Sequence, residues 1–439
     1  MSNQKKMNGS VIAIITMFFL YAMIAFVTNL GAPIGVIWKN QPGIDGNNML
    51  GMMGNFMNFF AYLFMGIPAG KMLTKVGYKK SALIGIAVGF VGVLIQYLSS
   101  FPEGIPGFCV YLLGAFISGF SVCILNTVVN PMLNLLGGGG NRGNQLNLIG
   151  GTLNSLTGTL TPMLVGALIG QVTKSTQMAD VNLVMFIAMA VFALAFVALV
   201  FIPIQDPELG KVTADTKFEH SPWSFRHCTL GVIAIFFYVG VEVGIPGALN
   251  FYLSDGTDKG AGLIENAAKI GGAVAAMYWL LMLCGRLVSG FIAGKISSRQ
   301  LMLGTTTVAM ILIAAAMIIP KTNTVNMPLF DIMEFKFWSA EVPLSALLLV
   351  LCGLCTSIMW ASIFNLATEG LGKYTAQASG IFMMMVVGGG ILPLIQNSIV
   401  GTTMGSLRIS YVIVIAVLAY MIFYALIGSK NVNKDIKVD

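Results

Sequence analysis

The stretch IPAGKMLTKVGYKK, residues 67–80, ends one long apolar run and carries Lys71, Lys75, Lys79 and Lys80 into the turn before the next. A basic turn between two such runs reads as a loop kept on one side of a membrane, because Lys and Arg collect on the cytoplasmic side of spans. The stretch has an echo further on: FIAGKISSRQ (291–300) closes another apolar run in the same manner. A second pair, LTPMLVG (160–166) and ILPLIQN (391–397), repeats at nearly the same spacing. The chain therefore reads as two similar halves in tandem, a parallel repeat related by an axis along the membrane normal.

Composition agrees with a membrane setting. Of 439 residues, 56% are hydrophobic and only 9% charged, against about 25% charged in a soluble domain. One globular core could not hide that much apolar surface, so the class is a polytopic membrane protein. The start, MSNQKKMNGS, is polar and basic and precedes an apolar run too long for a signal-peptide core, so no cleavable leader is expected. The net charge of +7 follows from basic residues flanking spans on one side and needs no nucleic acid. Cysteines are uninformative. Most lie in apolar runs, and the Cys352-x-x-Cys355 pair has no His nearby, so no metal site is expected.

A span needs about 20 mostly apolar residues. Twelve fit: 11–38, 48–73, 80–100, 106–135, 144–170, 182–204, 227–254, 264–294, 299–319, 342–368, 376–401 and 408–428. An even number puts both termini on one side. With that side cytoplasmic, sixteen loop Lys and Arg residues lie inside and seven outside, with Arg286 left within span 8; the basic residues therefore place both termini in the cytoplasm. The polar segment QDPELGKVTADTKFEHSPW (205–223) divides the chain. The expected organisation is a six-helix bundle over 1–204, a cytoplasmic linker over 205–226 and a second six-helix bundle over 227–439. Segment 320–341, on the outer side, reads as a small cap or a loop.

Gly70, Lys75, Gly77, Lys79 and Lys80 match the signature that the major facilitator superfamily carries between spans 2 and 3: a glycine, an acidic residue, then a basic G-x-K/R-K/R cluster. Thr74 stands where the acidic residue is usual, which weakens any charge latch there. The plainer reading of the same residues is a topogenic basic loop. The motifs IPAGKML, NTVVNP, LNLIGGTLNS, YVGVEVG, CGRLVSG and EGLGKYTAQASGIFMMMVVGGGILPL, spread from span 2 to span 11, together resemble the fucose and glucose/galactose sugar:cation symporter family within that superfamily. The resemblance implies an all-α membrane protein, twelve transmembrane helices in two pseudo-symmetric six-helix bundles, that binds sugar near the midplane and works by alternating access.

In that family the fourth span reads like E-T-A-A-N-P; here it is Asn126-Thr127-Val128-Val129-Asn130-Pro131. Members that use protons carry a carboxylate where Asn126 stands and another in span 1, where this chain has Asn29. An amide keeps a donor and an acceptor for sugar hydroxyls but carries no proton at physiological pH. Asn55 and Asn154 fall where the resemblance implies further polar contacts. For all of these the alternative is helix–helix glue, worth about 0.6–2 kcal/mol per bond in a membrane. Aromatic rings suit the C–H face of a pyranose, which makes Tyr238, Trp279 and Trp360 candidates, with core or lipid packing as the alternative. Gln396 is a further polar candidate in the second half.

Glu242, in FFYVGVEVGIPGALNFYL, is the one acidic residue deep within a span. A charge at the bilayer centre costs roughly 3 kcal/mol or more, so such residues face a cavity or a partner. It is the candidate coupling group, for H⁺ or Na⁺, or a sugar ligand, or a static partner for Arg286. Counting helical rise puts Glu242 and Arg286 about 10 Å apart in depth, so the expectation is that Arg286 braces the cytoplasmic part of the second bundle.

The expected function is transport of a neutral sugar, a hexose such as glucose, galactose or fucose, across the inner (plasma) membrane by a monomer without cofactor. Facilitated passage or export of another small polar solute is the alternative, as is a non-transporting sugar sensor, which a long soluble tail would favour. An enzyme is least expected, because no nucleophile–base set or metal cluster falls at membrane depth.

Overall fold

The computed structural model describes residues 2–136, 140–170, 176–202, 219–257, 260–263, 265–292, 296–371, 374–399, 404–433 and 435–436. Most of the expected 205–226 linker lies outside the described residues. The apolar runs are helical, as lipid demands: only a helix or a closed barrel pairs every backbone polar group internally.

Span 1 is Ser2–Thr28, broken at Asn29 and continued by Gly31–Lys39. Spans 2 and 3 follow a short turn, Asn48–Gly51, and form one hydrogen-bonded run, Met53–Leu98. A straight helix of that length would overshoot a bilayer twice over. Gly77, at φ 83° and ψ 172°, reverses it, a backbone conformation glycine takes without a Cβ clash. Both arms then meet the same level of span 4, Gly104–Leu136: a Cβ on Gly119 would lie 2.1 Å from the Asn58 carbonyl oxygen, and one on Gly92 2.6 Å from the Ser118 nitrogen. Spans 5 to 9 are Gly140–Ile169, Asn182–Phe201, Arg226–Leu253, Ala267–Ile292 and Ser298–Ile318. Span 10 is Leu344–Thr356 and Met359–Thr368, span 11 is Thr375–Met385 and Gly388–Ile399, and span 12 is Met404–Phe423. Among the described residues, 11 helices are long and apolar enough to cross a membrane. The first arm of Met53–Leu98, its apolar content diluted by Asn55 and Asn58, makes the twelfth pass.

The segment read as a cap or a loop is a β-hairpin. Strand β1, Thr324–Asp331, pairs antiparallel with β2, Lys336–Pro343, with Thr324 opposite Pro343 and Asp331 opposite Lys336. Met327, Leu329, Asp331, Ala340 and Val342 turn to the buried face, the period of two that a half-covered ribbon requires. Lys269, near the start of span 8, pairs with Asp331 and lies 5.2 Å from the Trp338 ring centroid. The Lys269 bond holds the Asp331 carboxyl below the usual carboxylate range.

Spans 1–6 meet spans 7–12 at three seams. Spans 5 and 8 touch backbone to backbone: a Cβ on Gly272 would lie 2.4 Å from the Pro162 carbonyl oxygen, and one on Gly166 2.7 Å from that of Ala268. The Ala268 and Lys269 amides donate to the Gly170 carbonyl at 3.1 and 3.2 Å. At the second seam the Phe251 ring fills the notch between Gly35 and Gly51. Beside it Lys39, 2% exposed, reaches Asp255 at 3.4 Å and Asn48 Oδ1 at 3.1 Å and sits 5.4 Å from the Phe251 centroid. At the third, Asn55 Nδ2 donates to the Gly389 carbonyl at 2.9 Å, and Gly390 lies against Phe56 and Phe59. Small residues at such contacts let helices approach closely where lipid offers no hydrophobic drive. The three seams join the side that carries the hairpin. Further along spans 2 and 11 a Cβ on Gly66 would lie 2.7 Å from the Met384 side chain, whereas among the described residues Gly70 and Gly380 have no atom within 4 Å of a built Cβ.

Candidate substrate site

Between the seams and the linker side, spans 1, 4 and 5 carry a linked set of polar groups that meets span 8 at Arg286. Asn126 is half-buried, and its Nδ2 donates to the Tyr62 hydroxyl at 2.7 Å. Among the described residues no other bond engages the Asn126 Oδ1 or the proton of the buried Tyr62 hydroxyl. Asn130, one turn on, is engaged at both ends: its Nδ2 donates to the Asn126 carbonyl at 3.0 Å, and its Oδ1 accepts from the Tyr21 hydroxyl. The two amides therefore share a face but not a task. Asn130 ties span 4 to span 1, and Asn126 ties span 4 to span 2.

Tyr21 is the hub that sequence reasoning missed. Besides bonding Asn130, its carbonyl accepts from Asn154 Nδ2 at 3.4 Å, and its ring covers Gly150, where a Cβ would lie 2.5 Å away. The signal that could have found it is its place two turns before Asn29 on span 1, on the same helical stripe. Asn29 sits at the break in span 1, donating to the Ala25 carbonyl at 2.8 Å. A Cβ on Gly158 would lie 3.2 Å from Asn29 Nδ2 and 3.4 Å from the Trp279 ring, so spans 1, 5 and 8 converge at that glycine.

Glu242 and Arg286 form a direct pair, Oε1 to Nη2 at 3.4 Å, with side chains 13% and 18% exposed. This corrects the expectation that Arg286 only braces the cytoplasmic part of the second bundle, at a depth too far from Glu242 for a direct pair. Counting rise along untilted helices separates the two Cα positions, but the long arginine stem spans the difference. Arg286 Nη1 also donates across the seam to the Gly151 carbonyl at 2.9 Å and to Ser155 Oγ at 2.8 Å. The Tyr238 hydroxyl, four residues before Glu242 on the same helix, donates to the Thr356 carbonyl at 3.2 Å. That carbonyl faces the break between the two helices of span 10, where the intrahelical ladder is interrupted. Trp360, beyond the break, meets the Tyr238 ring edge-on at 6.2 Å between centroids.

Other candidates stand elsewhere. Asn55 belongs to the seam with span 11. Gln396 is buried among spans 7, 11 and 12, its Nε2 3.5 Å from Ser410 Oγ and its Oε1 3.0 Å from a built Cβ on Gly244. Gly70, Lys75, Gly77, Lys79 and Lys80 lie on the linker side. There Lys79 Nζ donates to the Val200 and Ile202 carbonyls, both at 2.8 Å, a cation at the carboxyl end of span 6. Lys75 and Lys80 are exposed.

Neutral amides, tyrosine hydroxyls and two indoles form a mixed set of donors and acceptors without net charge, and the compensated Glu242–Arg286 pair stands outside that set. The chain carrying this set matches the family model of the Major Facilitator Superfamily over residues 7–394. The chain belongs to that superfamily. It is a membrane transporter, not an enzyme. It is 28% identical over 435 residues to the glucose/galactose transporter of Brucella abortus, covering 98% of this chain and 96% of that one. It is 28% identical over 442 residues to the putative glucose/galactose transporter of Helicobacter pylori, covering 98% and 99%. It is 23% identical over 363 residues to the L-fucose-proton symporter of Escherichia coli, covering 76% and 75%. Among solved structures, it is similar to the superfamily transporter FucP in the outward conformation, with a TM-score of 0.66 and 18% identity over 96% of this chain and all of that one, a likeness of fold.

Proposed function

We propose that this transporter carries a neutral hexose by alternating access and couples it to H⁺ or Na⁺ through Glu242, with no further cofactor. The half-open Asn126–Tyr62 pair carries this reading, because it offers an acceptor and a donor side by side to a solute rich in hydroxyls. Names of the relatives over nearly the whole chain support the sugar class. The indoles of Trp279 and Trp360 supply the flat apolar faces that pyranose C–H bonds prefer. The distribution of basic residues supports a cytoplasmic linker side with both termini inside, and the proposal takes the protein to act as a monomer in the inner membrane. The two bundles, 1–204 and 227–439, rock about the site, and the joined seams make the hairpin side the closed one.

Coupling is assigned to Glu242 because Asn29 and Asn126 cannot titrate and a carboxylate at membrane depth is costly to keep. Those same two amides favour a second reading, a facilitator that only equilibrates sugar. Uptake and counterflow in proteoliposomes of D-glucose, D-galactose and L-fucose, under an imposed proton gradient and then a sodium gradient, separate the two. Accumulation that vanishes in Glu242→Gln while counterflow persists is the expected result. Accumulation by Glu242→Gln places the carrier elsewhere, accumulation under neither gradient means facilitation, and counterflow of none of the three sugars refutes the substrate class.

A further inference from the structure

Arg286 makes an arrangement that the coupling role of Glu242 does not by itself require. Its guanidinium presents donors in a fixed planar fork. Nη2 faces Glu242 of span 7, in the second half, and Nη1 faces Gly151 and Ser155 of span 5, in the first. Ser155 is fully buried, and position 151 is a glycine whose built Cβ would already stand 3.8 Å from Nη1. Spans 5 and 8 stay in contact from the Gly170–Ala268 end through Gly166 and Gly158 to this point. The guanidinium is therefore the polar end of the longest seam between the halves.

We infer that Arg286 is a positioning residue that carries the charge state of Glu242 across to span 5. The inference rests on the coupling reading above and deepens it. While Glu242 is ionised, the guanidinium is shared between the halves and its charge is balanced within the site. When Glu242 takes up a proton, or holds a cation at the same Oε1, Arg286 loses its counter-charge and keeps only the neutral acceptors of span 5. A buried guanidinium without a counter-charge is costly, so the seam is held differently in the two states. The other titratable groups facing the pair are the phenols of Tyr21 on span 1, Tyr238 on span 7 and Tyr278 on span 8. None of them is an alternative anion at physiological pH.

The bridge is tested without touching either charge. Ser155→Ala removes one span 5 acceptor, Ser155→Thr keeps the hydroxyl, and Arg286→Lys keeps the charge but replaces the fork with a single ammonium. Each is reconstituted with whichever of the three sugars gives wild-type counterflow, and both accumulation under the driving gradient and counterflow KM are measured. The expected result is a fall in accumulation of at least about threefold in Ser155→Ala and Arg286→Lys, with KM within about twofold of wild type, and recovery in Ser155→Thr. If Ser155→Ala and Arg286→Lys accumulate like wild type while Glu242→Gln does not, the bridge is overturned and the coupling role of Glu242 stands. If Glu242→Gln accumulates, or wild type never does, the coupling reading falls and the bridge with it. If accumulation and counterflow are lost together in Ser155→Ala and Arg286→Lys, the two residues only hold the fold, which also overturns the inference.

Discussion

The Lys39–Asp255 contact closes the hairpin side, and Asp255→Asn is the gentlest way to break it. The Asp255 Oδ1 accepts from the Thr257 amide at 3.0 Å and from its hydroxyl at 2.6 Å, and an asparagine oxygen can keep both. Its Nδ2 would then face the Lys39 ammonium, donor against donor. Removing one partner of a buried ion pair costs roughly 3–5 kcal/mol. Here the lysine side chain is 3% exposed but the aspartate 22%, and Lys39 keeps Asn48 and the Phe251 ring, a cation–π contact worth about 0.5–2 kcal/mol. The expected loss is about 1–3 kcal/mol, which raises the population open on the hairpin side by about 5- to 150-fold. A cysteine in place of Ala32, which lies near Gly247 just beneath the seam, reports that population through its rate of labelling by an impermeant maleimide. The exposed Cys109 must be replaced first. Asp255→Asn should speed labelling by that factor, and adding Lys39→Met should slow it again, because the double variant leaves no buried charge unpaired. Burial raises the Asp255 carboxyl, but the Lys39 charge and the Thr257 bonds outweigh it and hold the group below its usual value. Its contribution is therefore complete above the ordinary carboxylate value near about 4 and is lost as pH falls through the lower folded value. The variant-to-wild-type ratio of labelling rates should fall towards one on acidification, the thiolate fraction of the reporter cysteine dropping alike in both. Equal labelling of wild type and Asp255→Asn at neutral pH would refute the reasoning, as would a double variant labelled as fast as the single.

Further outcomes follow from contacts described above. Asn126→Ala and Tyr62→Phe should each weaken sugar binding by about 0.5–1.5 kcal/mol, a Kd rise of about 2- to 12-fold by calorimetry; unchanged affinity with a lower melting temperature would make the pair helix glue. In intact cells, an impermeant thiol reagent should label a cysteine at Thr324 but not one at Ser221, and the reverse pattern would invert the topology. Gly388→Ala would place a Cβ 1.8 Å from the Phe236 carbonyl oxygen of span 7, so overpacking should cost about 1–3 kcal/mol and lower the melting temperature in detergent. Gly304→Ala, with no atom within 4 Å of its built Cβ, should leave the melting temperature unchanged or raise it.

The spans were legible because lipid imposes length and apolarity on every pass, and the turn at Gly77 because a glycine between lysines has few other uses there. The hairpin was less so: Val325, Met327 and Leu329 alternate with polar neighbours, but Pro328 interrupts the run as a loop residue would. In the site, periodicity gave Asn126 and Asn130 one reading because they share one face, and only their partners distinguish them. Tyr21 was hidden because a tyrosine in an apolar run counts as apolar until its hydroxyl is seen. The Glu242–Arg286 contact was masked by treating helices as upright and side chains as points. Gln396 shows the converse: a polar residue at the right depth can be spent inside its own bundle, on Ser410.

The seam between spans 5 and 8 has a dynamic consequence. Gly166, Gly272 and Pro162 meet through main-chain atoms, so hardly any rotamers must be frozen or released when one helix rolls against the other. Interdigitated long side chains would each lose up to about 2 kcal/mol of rotamer freedom on re-engagement. A smooth backbone contact avoids that toll. It behaves as a bearing, along which the two halves can turn without unmeshing, so the activation barrier of each cycle is left to the polar contacts at its ends.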